Sequence, residues 1–569
     1  MTFNSVPRST IFQLFTKKTI DIPHGARPKS TELIYSIYNT FSTFLSRVIG
    51  IVSGRSIANI VANPGKHPQN GTNKMQNGVP LRMKGKTVMM KNMKRISTRC
   101  LFALLAVLIA SQTSVAKKNV VLEKLDKPRV IVLTDITNEP DDEESMVRFL
   151  VYSNEFDVEG LIATTSVWLR NKVRPDKIRE RIEAYGQVRD NLLKHAPGYP
   201  TKEHLLSVTK AGLPEFGMRG VGQGKSSDGS RHIIEVVDKP DDRPVWVSVW
   251  GGPNCLAQAL WEVKNTRSKE KLDAFVSKLR VYTISDQDDS GRWMRLTFPK
   301  LFYIVTPSSV DSREYYKATW TGISGDRHYK NGPFHKFELV DNPWLEKNII
   351  NGHGPLGALY PKAKYIMEGD TPSFFNLISN GLGSRISPSY GGWGGRYVLH
   401  QTYAEIRPIW TNARGCQDTV IVENGMEYTS AQATIWRWRQ DYQHDFAARM
   451  DWCVAETFDT ANHNPVAAFD NDKSKAVVNL TVKPKETVKL SAAGTYDPDG
   501  DTVSCRWFVY KEAGNYDGPV NIKNDTAQQA HFIAPMVKSP SAIHIILEVK
   551  DGGEPSLVSY RRVIINIKP

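Results

Sequence analysis

The chain has 569 residues, 40% of them hydrophobic, and carries 74 Lys+Arg against 59 Asp+Glu, a formal charge of +15. That length gives room for about two or three domains and at least one large core. The charge does not mark a nucleic-acid binder: residues 1–116 hold 16 Lys+Arg and 2 Asp+Glu, which leaves the remainder at 58 against 57. A basic groove for phosphate is therefore not indicated, and no nucleic-acid partner is expected.

Met90 to Ala116 opens with basic residues, continues with an apolar run from Leu101 to Ala110, and ends on small residues at Ser114 and Ala116. This is the layout of a secretory signal peptide cut after Ala116, which predicts a periplasmic or extracellular product. The apolar run is too short to cross a bilayer, so no stable membrane span is expected after cleavage. Signal peptides begin proteins, so residues 1–89 read as a disordered, non-native upstream extension, with translation starting at Met90 or Met93; a genuine N-terminal extension is the alternative. Cys100 leaves with the signal, and Cys255, Cys416, Cys453 and Cys505 remain. Export permits disulfides, and Cys416–Cys453 is a candidate pair that spacing does not settle. No CxxC or Cys/His cluster suggests zinc.

From Arg129 the pattern alternates strand and helix. "RVIVLTD" predicts a buried strand and "DDEESMVRFLVYSN" a helix with an acidic first turn. "FDVEGLIATTS" is the next strand, followed by an amphipathic helix through Lys177–Leu193. "RPVWVSVWGG", "PNCLAQALWEV" and "KLRVYTIS" give strand, helix and strand. The expected architecture over 117–463 is a mostly parallel sheet flanked by helices, with ligands beyond the carboxyl ends of its strands. Residues 464–569 change grammar: short alternating runs such as "VVNLTV", "SCRWFVY" and "RRVIINI" predict an antiparallel, all-β immunoglobulin-like sandwich. Asp497, Asp499 and Asp501 form either a calcium loop or an Asp/Gly-rich hairpin turn; the missing bidentate Glu favours the turn. This domain reads as a binding or spacing module.

Strand ends carry the candidate chemistry. Asp135, Asn138, Asp141 and Asp142 share the turn after the first strand. A helix cap accounts for one or two acids but not for Asp135 at the tip of a buried strand. Three carboxylates within eight residues repel unless a hard cation, most naturally calcium, gathers them. Asp286, Asp288 and Trp293 in "DQDDSGRW" can bind sugar hydroxyls and a sugar face, or form a solvated acidic loop. Trp393 and Arg396, with Tyr390 and Tyr397, lie in the glycine-rich "PSYGGWGGRY", which reads as a sugar-stacking loop or as a packed tryptophan.

A strand ending in Asp and a turn leading to Asp-Asp at a helix start resemble the nucleoside hydrolases. The resemblance implies that the cluster binds calcium and that a calcium-bound water attacks the anomeric carbon. "VWGGPN" resembles the family turn whose main-chain carbonyl completes the metal shell, which here is that of Trp250, with Asn254 beside it as a substrate contact. "GHGPLGALYP" and "MEGDTPSFFNL" resemble the late segment that supplies a His and an Asp, so His353 is the implied proton donor. Its alternative is a structural histidine in a Gly-rich turn. The last metal aspartate falls on Gly354 or Asp370 depending on register; "KYIMEGD" as a strand and "TPSFFNL" as a helix start favour Asp370. Over about residues 128–569 the chain looks closer still to the bacterial secreted cellulose-binding proteins that join a nucleoside-hydrolase-like domain to a C-terminal sandwich. Leu133 and Trp168 replace the second strand aspartate and the ribose-gripping Asn of true nucleoside hydrolases, so ribose recognition is not implied. The expectation is an exported, metal-dependent hydrolase of glycosyl bonds, N- or O-linked, acting on a glycan or glycoside. Asp141 takes the proton, and Trp168 joins the substrate contacts. The alternative is a non-catalytic cellulose- or polysaccharide-binding protein on the same fold.

Overall fold

The computed structural model describes residues 120–137, 139–307, 315–413 and 415–569. Asn138, the upstream segment, the signal-like stretch and Cys100 lie outside the described residues. Among the described residues no helix is long and apolar enough to cross a membrane.

A short strand, β1 (Val120–Glu123), precedes β2 (Arg129–Thr134), whose six residues are all buried. α1 (Asp141–Val151), β3 (Asp157–Ala163), α2 (Pro175–His195), β4 (Thr209–Ala211) and α3 (Asp228–Asp238) follow. Then come β5 (Val245–Val249), α4 (Asn254–Thr266), α5 (Lys269–Lys278), β6 (Leu279–Thr283), α6 (Ser290–Thr297), β7 (Phe302–Ile304), β8 (Val398–His400) and β9 (Ile409–Thr411). β2 to β9 form one sheet in the order β4-β3-β2-β5-β6-β7-β9-β8, with every pairing parallel except β8–β9. The period of two along β2 explains why both faces are covered. Val130 and Val132 enter the core built with α1 and α2, while Ile131 and Leu133 enter the core built with α3, α4 and α5. Parallel pairing brings the carboxyl ends of β2, β5 and β6 to one edge, where the acidic turns begin.

β10 (Asp418–Ile421) and β11 (Glu427–Ser430) make a hairpin, and α7 (Arg439–Trp452) packs against the α1 side of the sheet. The remainder is all β: β12 (Val477–Val482), β13 (Thr487–Ser491), β14 (Ser504–Val509), β15 (Gln529–Ile533), β16 (Ser541–Lys550) and β17 (Val558–Ile567). One sheet runs β1-β12-β17-β16-β14 and a second pairs β13 with β15. Val478, Leu490, Trp507, Phe532 and Ile545 fill the core they share.

Four expectations are corrected. Val120–Glu123 does not belong to the α/β portion but adds an edge to the C-terminal sheet, through Val120–Leu480 to Glu123–Val477. β12 and β17 run parallel, so that region is not wholly antiparallel. "KYIMEGD" is not a strand, because Glu368 sits at φ +53° and turns the chain. Cys416 and Cys453 are unpaired, as are Cys255 and Cys505, all four buried as free thiols.

The sandwich is joined to the loop around residues 382–391 by buried Arg562. Its guanidinium donates to the carbonyls of Leu382, Tyr390 and Gly391 and to His544 Nδ1. Burial, and then Arg562 itself, push the His544 imidazolium down to about 2. The unfolded chain takes up that proton near the ordinary pKa of about 6.5. Stability is therefore lost as pH falls below about 6.5, at up to roughly 1.4 kcal/mol per pH unit for this one group. Urea midpoints at pH 7 and 5 should show His544→Gln with a shallower loss than the parent; equal slopes would remove His544 as the cause.

Candidate functional site

Asp135 leaves β2 buried, with Oδ2 accepting from Ser166 Oγ and Oδ1 unpaired. Asp141 and Asp142 open α1, but neither side chain caps it: Pro140 holds the cap position and no side-chain cap bond forms. Asp142 Oδ1 accepts from Thr134 Oγ1, which fixes it against β2. Asp370 reaches the same place from the turn after Glu368, and its Oδ2 is buried without a partner. One carboxylate oxygen each from Asp141, Asp142 and Asp370 lie within 4.8 Å of one another.

Two glycines make this crowding possible. A Cβ on Gly251 would run into the Asp135 carboxylate, and one on Gly369 would come within 2.7 Å of Asp141 Oδ2 and 3.1 Å of the Trp320 ring. The turn that carries Asp370 is held from beneath. Glu368 pairs with fully buried Arg148 at 2.5 Å, accepts from Tyr360 and Thr371, and donates its main-chain N–H to Glu144.

Electrostatically the cluster is unbalanced. Burial, opposed by the Ser166 bond and reinforced by Glu139, raises Asp135 to about 7. Burial and the charges of Glu139 and Asp135 raise Asp141 to about 8. Asp142 is held well above the usual carboxylate range by burial and the charges of Asp135 and Asp141, and Asp370 by burial and the charges of Asp142, Asp141 and Asp135. No lysine or arginine is among the described residues lining this pocket of about 510 Å³. Orphaned oxygens, an all-oxygen donor set and uncompensated negative charge fit a hard divalent cation such as calcium. The Trp250 carbonyl accepts from Gln287 Nε2 at 2.7 Å, which leaves one of its two lone pairs for a ligand.

The walls are aromatic. Trp168 and Tyr365 are about half exposed, at 45% and 49%, whereas Tyr315 and Trp320 are buried and Tyr329 and His328 complete the lining. Trp320 Nε1 is a buried donor without a partner.

Other sequence candidates lie elsewhere. His353 is corrected: its Nε2 donates to Asp451 Oδ1 on α7 at 3.1 Å and it is not among the described residues that line the pocket, where the histidine is His328. Trp393 is interior, packed against Phe375 and Tyr442, and Arg396 is buried in an ion pair with Asp418. "GGWGG" is therefore a core element and not an exposed stacking loop. Trp293 packs edge-on against Phe298 along α6. Asp286 is gripped in a fork by Arg295, at 2.8 Å to each oxygen. Asp288 is buried and accepts from Ser290 N–H, with burial raising it to about 7. Asn254 braces Thr165 and the Glu215 carbonyl. None of these lines the pocket. Tyr315, Trp320, His328, Tyr329 and Tyr365 escaped sequence reading because they come from turns without a motif; only their aromatic density signals them.

The family model described as "Cellulose-binding Sde182, nucleoside hydrolase-like domain" matches residues 129–397, and that of the "Cellulose-binding protein Sde0182, C-terminal domain" matches 487–567. A nucleoside hydrolase-related protein from Saccharophagus degradans, described as associated with carbohydrate metabolism, has a solved structure. It is 38% identical over 78% of this chain and 100% of its own, with a TM-score of 0.66. The PKD domain of the KIAA 1837 protein is 22% identical over 16% of this chain and 79% of its own, with a TM-score of 0.13. Effector protein XOO4466 is 10% identical over 58% and 95%, with a TM-score of 0.27. These last two likenesses are too slight to carry an argument. Among curated proteins none matches. The pairing of a nucleoside-hydrolase-like sheet with the matched C-terminal strands, and the full-length likeness to the Saccharophagus protein, put this chain in the Sde182 family of cellulose-binding proteins.

Proposed function

We propose that the protein is an exported carbohydrate-binding hydrolase that cleaves a glycosyl bond of a glycan or glycoside in the acidic pocket. One observation carries this reading: three buried carboxylates, half-buried Asp141 and a wall of aromatic rings share a pocket of about 510 Å³ with no lysine or arginine among the described residues that line it. Asp135, Asp142 and Asp370, with Asp141 and the Trp250 carbonyl, are the residues to hold calcium. When bound, the ion neutralises the cluster and supplies Lewis acidity. Asp141, the least buried of the four, accepts a proton from the attacking water; the remaining carboxylates stabilise the oxocarbenium-like transition state. Trp168 and Tyr365 offer ring faces to the apolar CH face of a sugar. His328, whose imidazole lines the pocket, is the side chain to give the leaving group its proton.

Residues 117–569 incubated with cellulose oligosaccharides, other glycans and nucleosides, with and without EGTA, test this. Chelator-sensitive release of reducing sugar or base is expected. Binding without release under every condition would instead establish a binding protein on the same fold. Gly369→Ala should weaken calcium binding by about tenfold or more in titration calorimetry, because its Cβ displaces Asp141 or Trp320. Unchanged affinity would take Asp141 out of the ligand set.

A further inference from the structure

Another cavity, of about 460 Å³, lies at the opposite ends of the strands, beside the amino ends of β2, β5 and β6. Its sign is reversed. Lys124, Lys127, Arg243, Arg280 and Arg385 line it against the carboxylates of Asp126 and Asp242. The pairing of these cations separates them into two groups. Arg243 is satisfied by a fork to Asp241, by Asp157 and by the Lys127 carbonyl, and Lys127 stands 3.5 Å from the same Asp157. Arg280 and Arg385 have no such partner. Arg280 donates only to the main-chain carbonyls of Ser277 and Leu279, with its guanidinium over the Phe302 ring. The Arg385 side chain hydrogen-bonds to no described residue, and its Nε is buried.

A guanidinium withdrawn from water without a carboxylate is costly, and an arginine cannot escape by giving up its proton. Burial alone lowers Arg280, and burial lowers Arg385 to about 10, opposed by the charges of Asp126 and Glu155. Two guanidinium groups without a carboxylate partner line this one cavity and offer an oxyanion opposite charge and N–H donors.

We propose that this cavity binds an oxyanion, a sulfate, phosphate or carboxylate group, through Arg385 and Arg280. The anion is either a free inorganic ion or the acidic substituent of a sugar. The site is separate from the acidic pocket and does not depend on its chemistry.

Thermal melting and titration calorimetry of residues 117–569 test it, with sodium sulfate, sodium phosphate and an oligogalacturonide as probes. Sodium chloride at matched ionic strength controls for screening. Saturable binding of at least one probe is expected, about tenfold or more weaker in Arg385→Gln and in Arg280→Gln. Asp126→Asn, which removes a competing carboxylate and leaves both arginines, is expected to bind tighter, so the proposal stays testable if an arginine variant misfolds. Equal affinity for inorganic anions and the oligogalacturonide identifies a free-anion site; binding of the oligogalacturonide alone identifies an acidic sugar. No response beyond that to chloride, or unchanged binding in all three variants, overturns it.

Discussion

Replacing Asp141 by asparagine is expected to lower glycoside cleavage by about 10²–10⁴-fold, the usual contribution of a positioned general base. The same change should have an opposite effect on the metal-free protein. In chelator, Asp141 stands among the carboxylates of Asp135, Asp142 and Asp370, with no lysine or arginine among the described residues lining the pocket. Removing one negative charge relieves repulsion, so Asp141→Asn should melt higher than the parent in EGTA and gain less from calcium. Progress curves and melting curves, each with calcium and with EGTA, measure both effects. A variant that keeps full turnover, or loses stability in EGTA, would contradict the assignment of Asp141.

The second large effect falls on Arg148. Its guanidinium is wholly buried, paired with Glu368, bonded to Gln443 and the Tyr442 carbonyl, and laid over the Phe446 ring at 3.8 Å. It ties α1 both to α7 and to the turn that presents Asp370. Arg148→Ala leaves Glu368 buried without its cation, which should cost about 3–5 kcal/mol in urea unfolding. Arg148→Met combined with Glu368→Gln should cost less than the sum of the two single changes, because neither charge is then stranded. Additive costs would mean that the two side chains act independently. Calcium affinity of Arg148→Met should fall as well, since the Asp370 turn loses its anchor.

The fold was largely legible because its signals are local. Six consecutive buried residues, Arg129–Thr134, that run into Asp135 mark β2, and the acidic first turn marks α1. Val120–Glu123 was not legible: four exposed residues carry no pattern, and their strand exists only because a distant edge pairs with them. Asp135, Asp141 and Asp142 could be grouped from sequence because one turn holds them. His353 and Trp393 misled for the opposite reason. A histidine or tryptophan among glycines looks the same in sequence whether it faces a ligand or a core. Asp451 claims the first, and Phe375 and Tyr442 enclose the second. His328 and Tyr365 reach the pocket through tertiary placement alone.

The pairing of β1 with β12 also sets an order of events during synthesis. Val120–Glu123 leaves the ribosome about 350 residues ahead of Val477–Val482, the strand that receives it. At roughly 5–20 residues per second that interval is about 20–70 s. Throughout it the α/β sheet can close on its own contacts, while β1 stays unmatched and open to the wrong edge. The late strand β12 thus retires the hazard left by the earlier one. A stop codon placed just before β12 should yield a chain whose α/β portion folds but whose stray strand promotes self-association.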